Sequence, residues 1–277
     1  MGPGTTATIG DQMDAAGLGY ASSGAGEPVV LLHAGIADAR MGDAQVAAWS
    51  SRYRVIRYDA QGFGRSPRTS VPVPRAEDLF RLLGELGVGQ AHLVGLSMGG
   101  ATALDFALVH PERTGALVLV AAGLSGGRRV DRWLEAQNQL AEAAVRRGDV
   151  EAAVGVDVQT WLAGPYRRLE DLDAGPVERV RRLVRDVVAH DAERTPAPPI
   201  DPPAAGRLGE IRAPTLVIVG DADAAPVGET AGRLVAEIPG ARQLVLADTA
   251  HLVPLERPSD FNAAVLEFLA EHPLAGR

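Results

Sequence analysis

The chain of 277 residues contains no cysteine. That absence excludes disulfides, thiolate nucleophiles and cysteine-based metal sites. Aromatic residues are scarce, at 4%, so the placement of each tryptophan and tyrosine carries weight. No apolar run approaches the roughly 18 residues that a membrane-spanning helix needs. Met1 to Thr6 lack the apolar stretch of a signal peptide. They fit the N-myristoylation pattern formally, but Pro3 and the want of a basic cluster count against it. A basic field is missing too. The 27 basic residues face 35 acidic ones, for a net charge of −8, which is the wrong sign for a nucleic-acid surface. Pairs such as Arg128-Arg129 and Arg181-Arg182 read as solvated helical faces. Lysine is scarce beside alanine, glycine and arginine, a composition typical of GC-rich bacterial proteins.

Apolar residues, by contrast, make up 46% of the chain, ample for a large core. Pro28 to Leu32 is a continuous apolar run, the mark of a strand buried on both faces. Further strand-like segments are Tyr53 to Tyr58, Ala91 to Leu96, Ala116 to Val120, Thr215 to Val219 and Gln243 to Leu246. Helical segments separate most of them, and alternation of strand and helix predicts a mainly parallel central sheet flanked by helices, an α/β fold. In sheets of this kind ligands bind outside the carboxyl ends of the strands.

The most informative stretch is Ala91-His92-Leu93-Val94-Gly95-Leu96-Ser97-Met98-Gly99-Gly100. It reads as a strand end, then Gly-x-Ser-x-Gly, then a helix of small residues. A serine on a sharp strand-to-helix turn is exposed as a nucleophile, with helix N–H groups beside it. Four further motifs accompany it: Leu31-Leu32-His33-Ala34-Gly35, the segment Tyr58 to Ser66, Val219-Gly220-Asp221-Ala222-Asp223, and Ala250 to Pro258. Together, in this order, the five resemble the α/β-hydrolase fold superfamily over nearly the whole chain. The segments correspond to its oxyanion loop, its Asp-x-Arg-Gly-x-Gly-x-Ser segment, its nucleophile elbow, its acid turn and its histidine loop. The chain departs from the family pattern at Ala34 and at Gln61.

The resemblance implies a Ser-acid-His set in that chain order. Ser97 is the expected nucleophile, His251 the base and Asp223 the acid, with Asp221 as a turn residue or an outer hydrogen-bonding partner. A serine hydroxyl needs such a base, and the base needs an orienting group. The expected oxyanion donors are the backbone N–H groups of Met98 and Gly35. His33 resembles the structural histidine of the oxyanion loop. His92 and His110 read as packing or helix-end residues, and His190 and His272 as surface residues. A serine at the elbow, where dehalogenases and epoxide hydrolases of this fold carry aspartate, implies acyl transfer.

The predicted organisation is a core of residues 1–124 and 208–277 with an inserted helical lid at 125–207. Asp131 to Arg147 and Val177 to Val188 show helical apolar stripes. Thr195 to Pro203 reads as a stiff connector. Trp133, Trp161 and Tyr166 fall in the insertion and are candidates for a substrate pocket. The expected activity is that of a cytoplasmic, cofactor-free and metal-free serine hydrolase on a small, largely apolar carbonyl compound (an ester, a lactone or a C–C bond). The alternatives are a non-hydrolytic cyclase or lyase of secondary metabolism on the same fold, and a small-molecule binding protein with a silent triad. Expected partners are the small-molecule substrate alone, with neither nucleic acid nor membrane, as a monomer or homodimer.

Overall fold

A computed structural model describes residues 12–69, 71–127, 131–189 and 196–274. The expectations for Met1 to Thr6, Arg128-Arg129, His190 and Thr195 concern residues outside these. The strands are β1 (Gln12–Met13), β2 (Gly19–Ser23), β3 (Glu27–Leu32), β4 (Tyr53–Tyr58), β5 (Ala91–Leu96), β6 (Thr114–Val120), β7 (Thr215–Gly220) and β8 (Arg242–Leu246), the last six at the segments the sequence marks. They form one sheet in the order β1-β2-β4-β3-β5-β6-β7-β8. The β1–β2 and β2–β4 pairings are antiparallel, and the pairings from β4–β3 through β7–β8 are parallel. Every residue of β5 and of β7 is buried, which is why these strands are continuous apolar runs rather than alternating ones.

The helices are α1 (Asp43–Trp49), α2 (Arg75–Glu85), α3 (Met98–Val109), α4 (Arg132–Arg146), α5 (Val150–Val158), α6 (Ala174–Val188), α7 (Ala225–Glu237), α8 (Val253–Glu256) and α9 (Pro258–Glu271). The chain leaves β3 toward β4 on one side, and leaves the adjacent β5 toward β6 on the other. Loops that diverge from neighbouring strands open a crevice at the carboxyl end of the sheet. Gly35 follows β3 and Ser97 follows β5, so both stand at this crevice.

Between β6 and β7 the chain inserts α4, α5 and α6. Sequence periodicity predicts the first and last of these but not α5. Val150, Ala152, Ala153, Val154, Val156 and Val158 leave α5 apolar or small on nearly every side, so it shows no stripe. Its start is nonetheless fixed by chemistry. Asp149 caps it by accepting the Ala152 N–H at 3.1 Å, as Asp131 caps α4 by accepting that of Leu134 at 2.8 Å. Each cap contributes about 1 kcal/mol.

The two ends of the insertion meet at one carboxylate. Ser125 Oγ donates to Asp105 Oδ1 at 2.7 Å and accepts the Ala204 N–H at 3.0 Å. Asp105 lies on α3, the helix that follows Ser97. Burial pushes its carboxyl up to about 6, against the pull of the Ser125 hydroxyl and Arg207. The folded value exceeds the unfolded one, so the native state holds more protons between about pH 4 and pH 6. Stability therefore falls as pH rises through that window and stays lower above it. Asp105→Asn keeps an acceptor for Ser125 without a buried charge. It is expected to raise the melting temperature at pH 8 by a few degrees, on the order of 1–3 kcal/mol, and to flatten the slope between pH 4 and pH 6. Thermal scans across pH check this, and destabilisation at pH 8 would contradict it.

Candidate active site

Ser97 occupies the turn between β5 and α3 with φ 55° and ψ −109°. A side-chain-bearing residue reaches that region only when its surroundings force it, at a cost of roughly 1–3 kcal/mol. The surroundings are the flanking glycines. A Cβ on Gly95 would stand 2.2 Å from the Gly99 carbonyl oxygen, and one on Gly99 would stand 2.2 Å from that of Leu32. The spacing of the motif is thus a packing requirement: the elbow presses against its own helix and against the end of β3. Hydrogen bonds from Ser97 N–H to Val120 O at 2.9 Å and from Gly123 N–H to Ser97 O at 2.9 Å tie the turn to β6.

Beside the elbow, a Cβ on Gly35 would lie 3.7 Å from Met98 Cβ, an ordinary contact. The two residues named as oxyanion donors are therefore neighbours. The loop carrying Gly35 is braced by His33, which donates from Nδ1 to Ala34 O at 2.8 Å and accepts the Ala60 N–H on Nε2 at 2.9 Å. Burial holds the His33 imidazole below its usual range, in keeping with a neutral ring that can accept. His92 is likewise occupied, accepting the Ala116 N–H at 3.0 Å. His110 stacks on Phe80 at 4.2 Å, and His272 lies at the end of α9.

Asp223 follows β7 and His251 follows β8. Both are buried, at 5% and 1% exposure, and His251 Nδ1 lies 2.7 Å from Asp223 Oδ2. Asp223 Oδ1 accepts the Ala224 N–H at 2.7 Å. A carboxylate only accepts, so Nδ1 carries the hydrogen and the neutral ring keeps its lone pair on Nε2. That Nε2 is buried and has no hydrogen-bond partner among the described residues. Asp221 turns elsewhere: its Oδ1 accepts the Asp248 N–H at 2.7 Å, joining the turn after β7 to the loop after β8.

The insertion reaches this pair through one ring. After α5 the helix widens into one π turn, Gln159–Ala163, and places the Trp161 ring 4.6 Å from the His251 ring at 49°. Single π turns recur at functional sites because they re-aim a side chain. A cavity of about 440 Å³ is lined by Gly35 and Ile36, by Val145 and Glu142 of α4, by Asp157 and Trp161, and by Val187 and Val188 of α6. Gly35, which abuts Met98, and Trp161, which packs on the His251 ring, both line it, whereas Ser97 and His251 themselves do not. Trp133 and Tyr166 are not among its lining residues. Trp133 is half-buried on α4 and packs against the core, whereas Tyr166 is 69% exposed. Among the described residues no group of three or more His, Asp or Glu side chains could hold a metal ion. No helix there is long and apolar enough to cross a membrane.

Sequence reading missed the residues that join the insertion to the histidine loop. Arg167 Nη2 pairs with Glu256 Oε2 at 2.7 Å, and Glu256 Oε1 accepts the Ala250 N–H at 2.9 Å. Glu256 sits inside the histidine-loop motif and was visible there. Arg167 gives no local signal, because its partner is 89 residues away.

Comparison with known proteins agrees with the architecture. The family model described as "Alpha/beta hydrolase family" matches residues 29–264. A 2-hydroxy-6-oxononadienedioate/2-hydroxy-6-oxononatrienedioate hydrolase of Burkholderia vietnamiensis is 33% identical over 267 residues, covering 90% of each chain. A 2-hydroxy-6-oxo-6-phenylhexa-2,4-dienoate hydrolase of Comamonas testosteroni is 31% identical over 271 residues, covering 91% of each. Among solved structures, the enol-lactonase of Burkholderia xenovorans superposes with a TM-score of 0.73 at 26% identity, over 91% of this chain and 96% of that one. With that family model over most of its length and relatives above 30% identity covered nearly end to end, this chain is an enzyme that belongs to the alpha/beta hydrolase family.

Proposed function

We propose that the protein is a lidded serine hydrolase that cleaves a small, largely apolar carbonyl substrate through Ser97, His251 and Asp223. The observation that carries this reading is the buried 2.7 Å contact between His251 Nδ1 and Asp223 Oδ2, with the opposite ring nitrogen left free for a proton. His251 Nε2 takes the Ser97 hydroxyl proton as the oxygen attacks the carbonyl carbon, and Asp223 stabilises the resulting imidazolium. The negative charge that develops on the carbonyl oxygen is received by the N–H groups of Gly35 and Met98. His251 then gives its proton to the leaving group. Water, deprotonated by the same nitrogen, releases the acyl group and restores Ser97.

The cavity supports this substrate class. Ile36, Val145, Trp161, Val187 and Val188 offer apolar area beside Gly35 that suits an acyl or ring portion, with Asn138, Glu142, Arg146 and Asp157 forming the polar part of the lining. The named relatives are hydrolases of unsaturated 2-hydroxy-6-oxo acids, and the solved neighbour is an enol-lactonase. An ester, lactone or C–C substrate of that size fits the same serine chemistry. Intact-mass analysis after treatment with a fluorophosphonate should give a single adduct, mapped to Ser97. A protein that remains unlabelled would refute the reading.

The insertion acts as the lid, with Trp161 as its contact to substrate. Trp161→Ala is expected to change the preference between short-chain and long-chain aryl esters by on the order of tenfold, together with a lowered melting temperature, because this ring also packs against the core. Trp133→Ala should lower the melting temperature while leaving that preference unchanged, and Tyr166→Ala should do neither. An unchanged preference in Trp161→Ala would assign that ring to packing alone.

A further inference from the structure

The end of the π turn makes an unusually dense set of contacts with the two loops that carry His251 and Asp223. The Arg167 guanidinium donates from Nε to Ala163 O at 3.0 Å and from Nη2 to Leu162 O at 2.6 Å, both within the turn that holds Trp161. From Nη1 it donates to Asp248 O at 2.7 Å, three residues before His251. Its Nη2 also pairs with Glu256, five residues after His251. Glu256 in turn fixes the Ala250 N–H, the backbone group next to His251. Gln159 Nε2 closes the segment by donating to Gly164 O at 3.1 Å and to Arg167 O at 3.0 Å. Gly164 itself, at φ +76°, leaves no room for a side chain: a Cβ would meet Ala222 O, beside Asp223, at 2.4 Å.

We propose that Arg167 is a positioning residue for hydrolysis: with Glu256 it fastens the Trp161 turn to the His251 loop, so that the imidazole is held facing the reacting carbonyl. The physical argument rests on where the bonds go. The side chains of Arg167 and Glu256 are only 12% and 8% exposed, so water does not compete for the pair. The planar guanidinium reaches four acceptors on three segments at once, which a single ammonium cannot do. Burial pushes the Glu256 carboxyl up while Arg167 and the Ala250 N–H pull it back, so the pair forms as a unit. The His251 ring is thereby held from three sides: Asp223 at Nδ1, Trp161 across its face, and the Ala250 backbone. Small displacements of a reacting group cost large factors in rate. A brace of this kind acts on turnover more than on binding.

This inference rests on the serine-hydrolase reading, and the test separates the two. Wild-type protein is first labelled with a fluorophosphonate; an unlabelled wild type would count against that reading and not against the brace. The variant Arg167→Met/Glu256→Gln then removes both charges together, leaving none buried alone, while the glutamine carbonyl still accepts from Ala250. With p-nitrophenyl acetate as substrate, at a temperature where every variant is folded, kcat is expected to fall roughly ten- to hundredfold, with KM within about twofold and the labelling rate of Ser97 falling in step, while the melting temperature drops by several degrees because the acceptors of Arg167 lose their donor. Glu256→Gln alone supplies the answer should the double variant fail to fold. Its single carbonyl must choose between Arg167 and Ala250, so kcat should fall severalfold, and Arg167→Lys should lie between wild type and the double variant. Turnover and labelling within twofold of wild type overturn the proposal. So does a lowered melting temperature with unchanged kcat below it, or a change confined to KM.

Discussion

Ser97→Ala is expected to abolish hydrolysis of simple aryl esters by a factor of about a thousand or more while leaving the protein folded. The size of the loss reflects how the machinery works. Once the attacking oxygen is gone, the His251–Asp223 pair has no proton to take, and what survives is the weaker assistance of the Gly35 and Met98 N–H groups and of binding itself. The substitution removes one hydroxyl from a half-buried position, so stability changes little. A companion variant adds a physical signature. At φ 55° and ψ −109° the elbow holds a conformation that glycine adopts freely and alanine does not. Ser97→Gly should therefore melt higher than Ser97→Ala by a few degrees, on the order of 1 kcal/mol, and be equally inactive. Such a pair of results would show strain stored at the nucleophile for the sake of its position. Retention of more than about a tenth of the wild-type rate by either variant would end the serine mechanism.

Asp223→Asn is expected to lower kcat about a thousandfold or more, and Asp221→Asn only slightly. The two carboxylates are two residues apart in one turn, and the difference lies in what each touches. Asp223 accepts from His251 Nδ1 at 2.7 Å in a buried site. An amide there presents an N–H toward the ring, which favours the tautomer with its hydrogen on Nε2, and that tautomer cannot take the serine proton. Asp221 accepts the Asp248 N–H, a bond that an asparagine carbonyl can replace. Steady-state kinetics on the two variants decide between them. A greater loss in Asp221→Asn would mean that the wrong member of the pair had been assigned to His251.

The charges around the histidine loop sharpen this contrast. Glu256 and Asp223 are both buried near His251, yet they play different parts. Glu256 is neutralised by Arg167 and spends its second oxygen on the backbone of Ala250. Asp223 has no arginine partner among the described residues and faces the imidazole directly. A carboxylate whose nearest cation would be the ring itself stabilises that ring when it charges during reaction. One whose charge is already matched acts through geometry.

Much of this was legible in the chain itself. Val29 to Leu32 and Leu216 to Val219 are continuous and apolar because a strand segment covered on both faces must be apolar, and that is a local property, whereas β8 at the sheet edge is exposed or half-buried throughout. Gly95, Gly99 and the serine between them mark the elbow because sterics at a tight turn act over only a few residues. Asp131 and Asp149 fix the starts of α4 and α5 by an equally local bond within the first turn, although sequence reading identifies neither as a cap. The identities of Ser97, Asp223 and His251 as candidates came from five motifs in order, each short and self-contained. What the sequence left unresolved involves residues far apart in the chain. α5 had no stripe to read, because it is apolar on nearly every side and lies between two other helices. Trp133, Trp161 and Tyr166 looked alike as aromatics in one insertion. Only the packing puts Trp161 over His251, leaves Trp133 against the core and turns Tyr166 outward. Arg167 joins Glu256 across 89 positions, and Ser125 meets Ala204 across 79. Such contacts follow from how the insertion docks onto the sheet, and docking is settled by the summed burial of many side chains rather than by any segment alone.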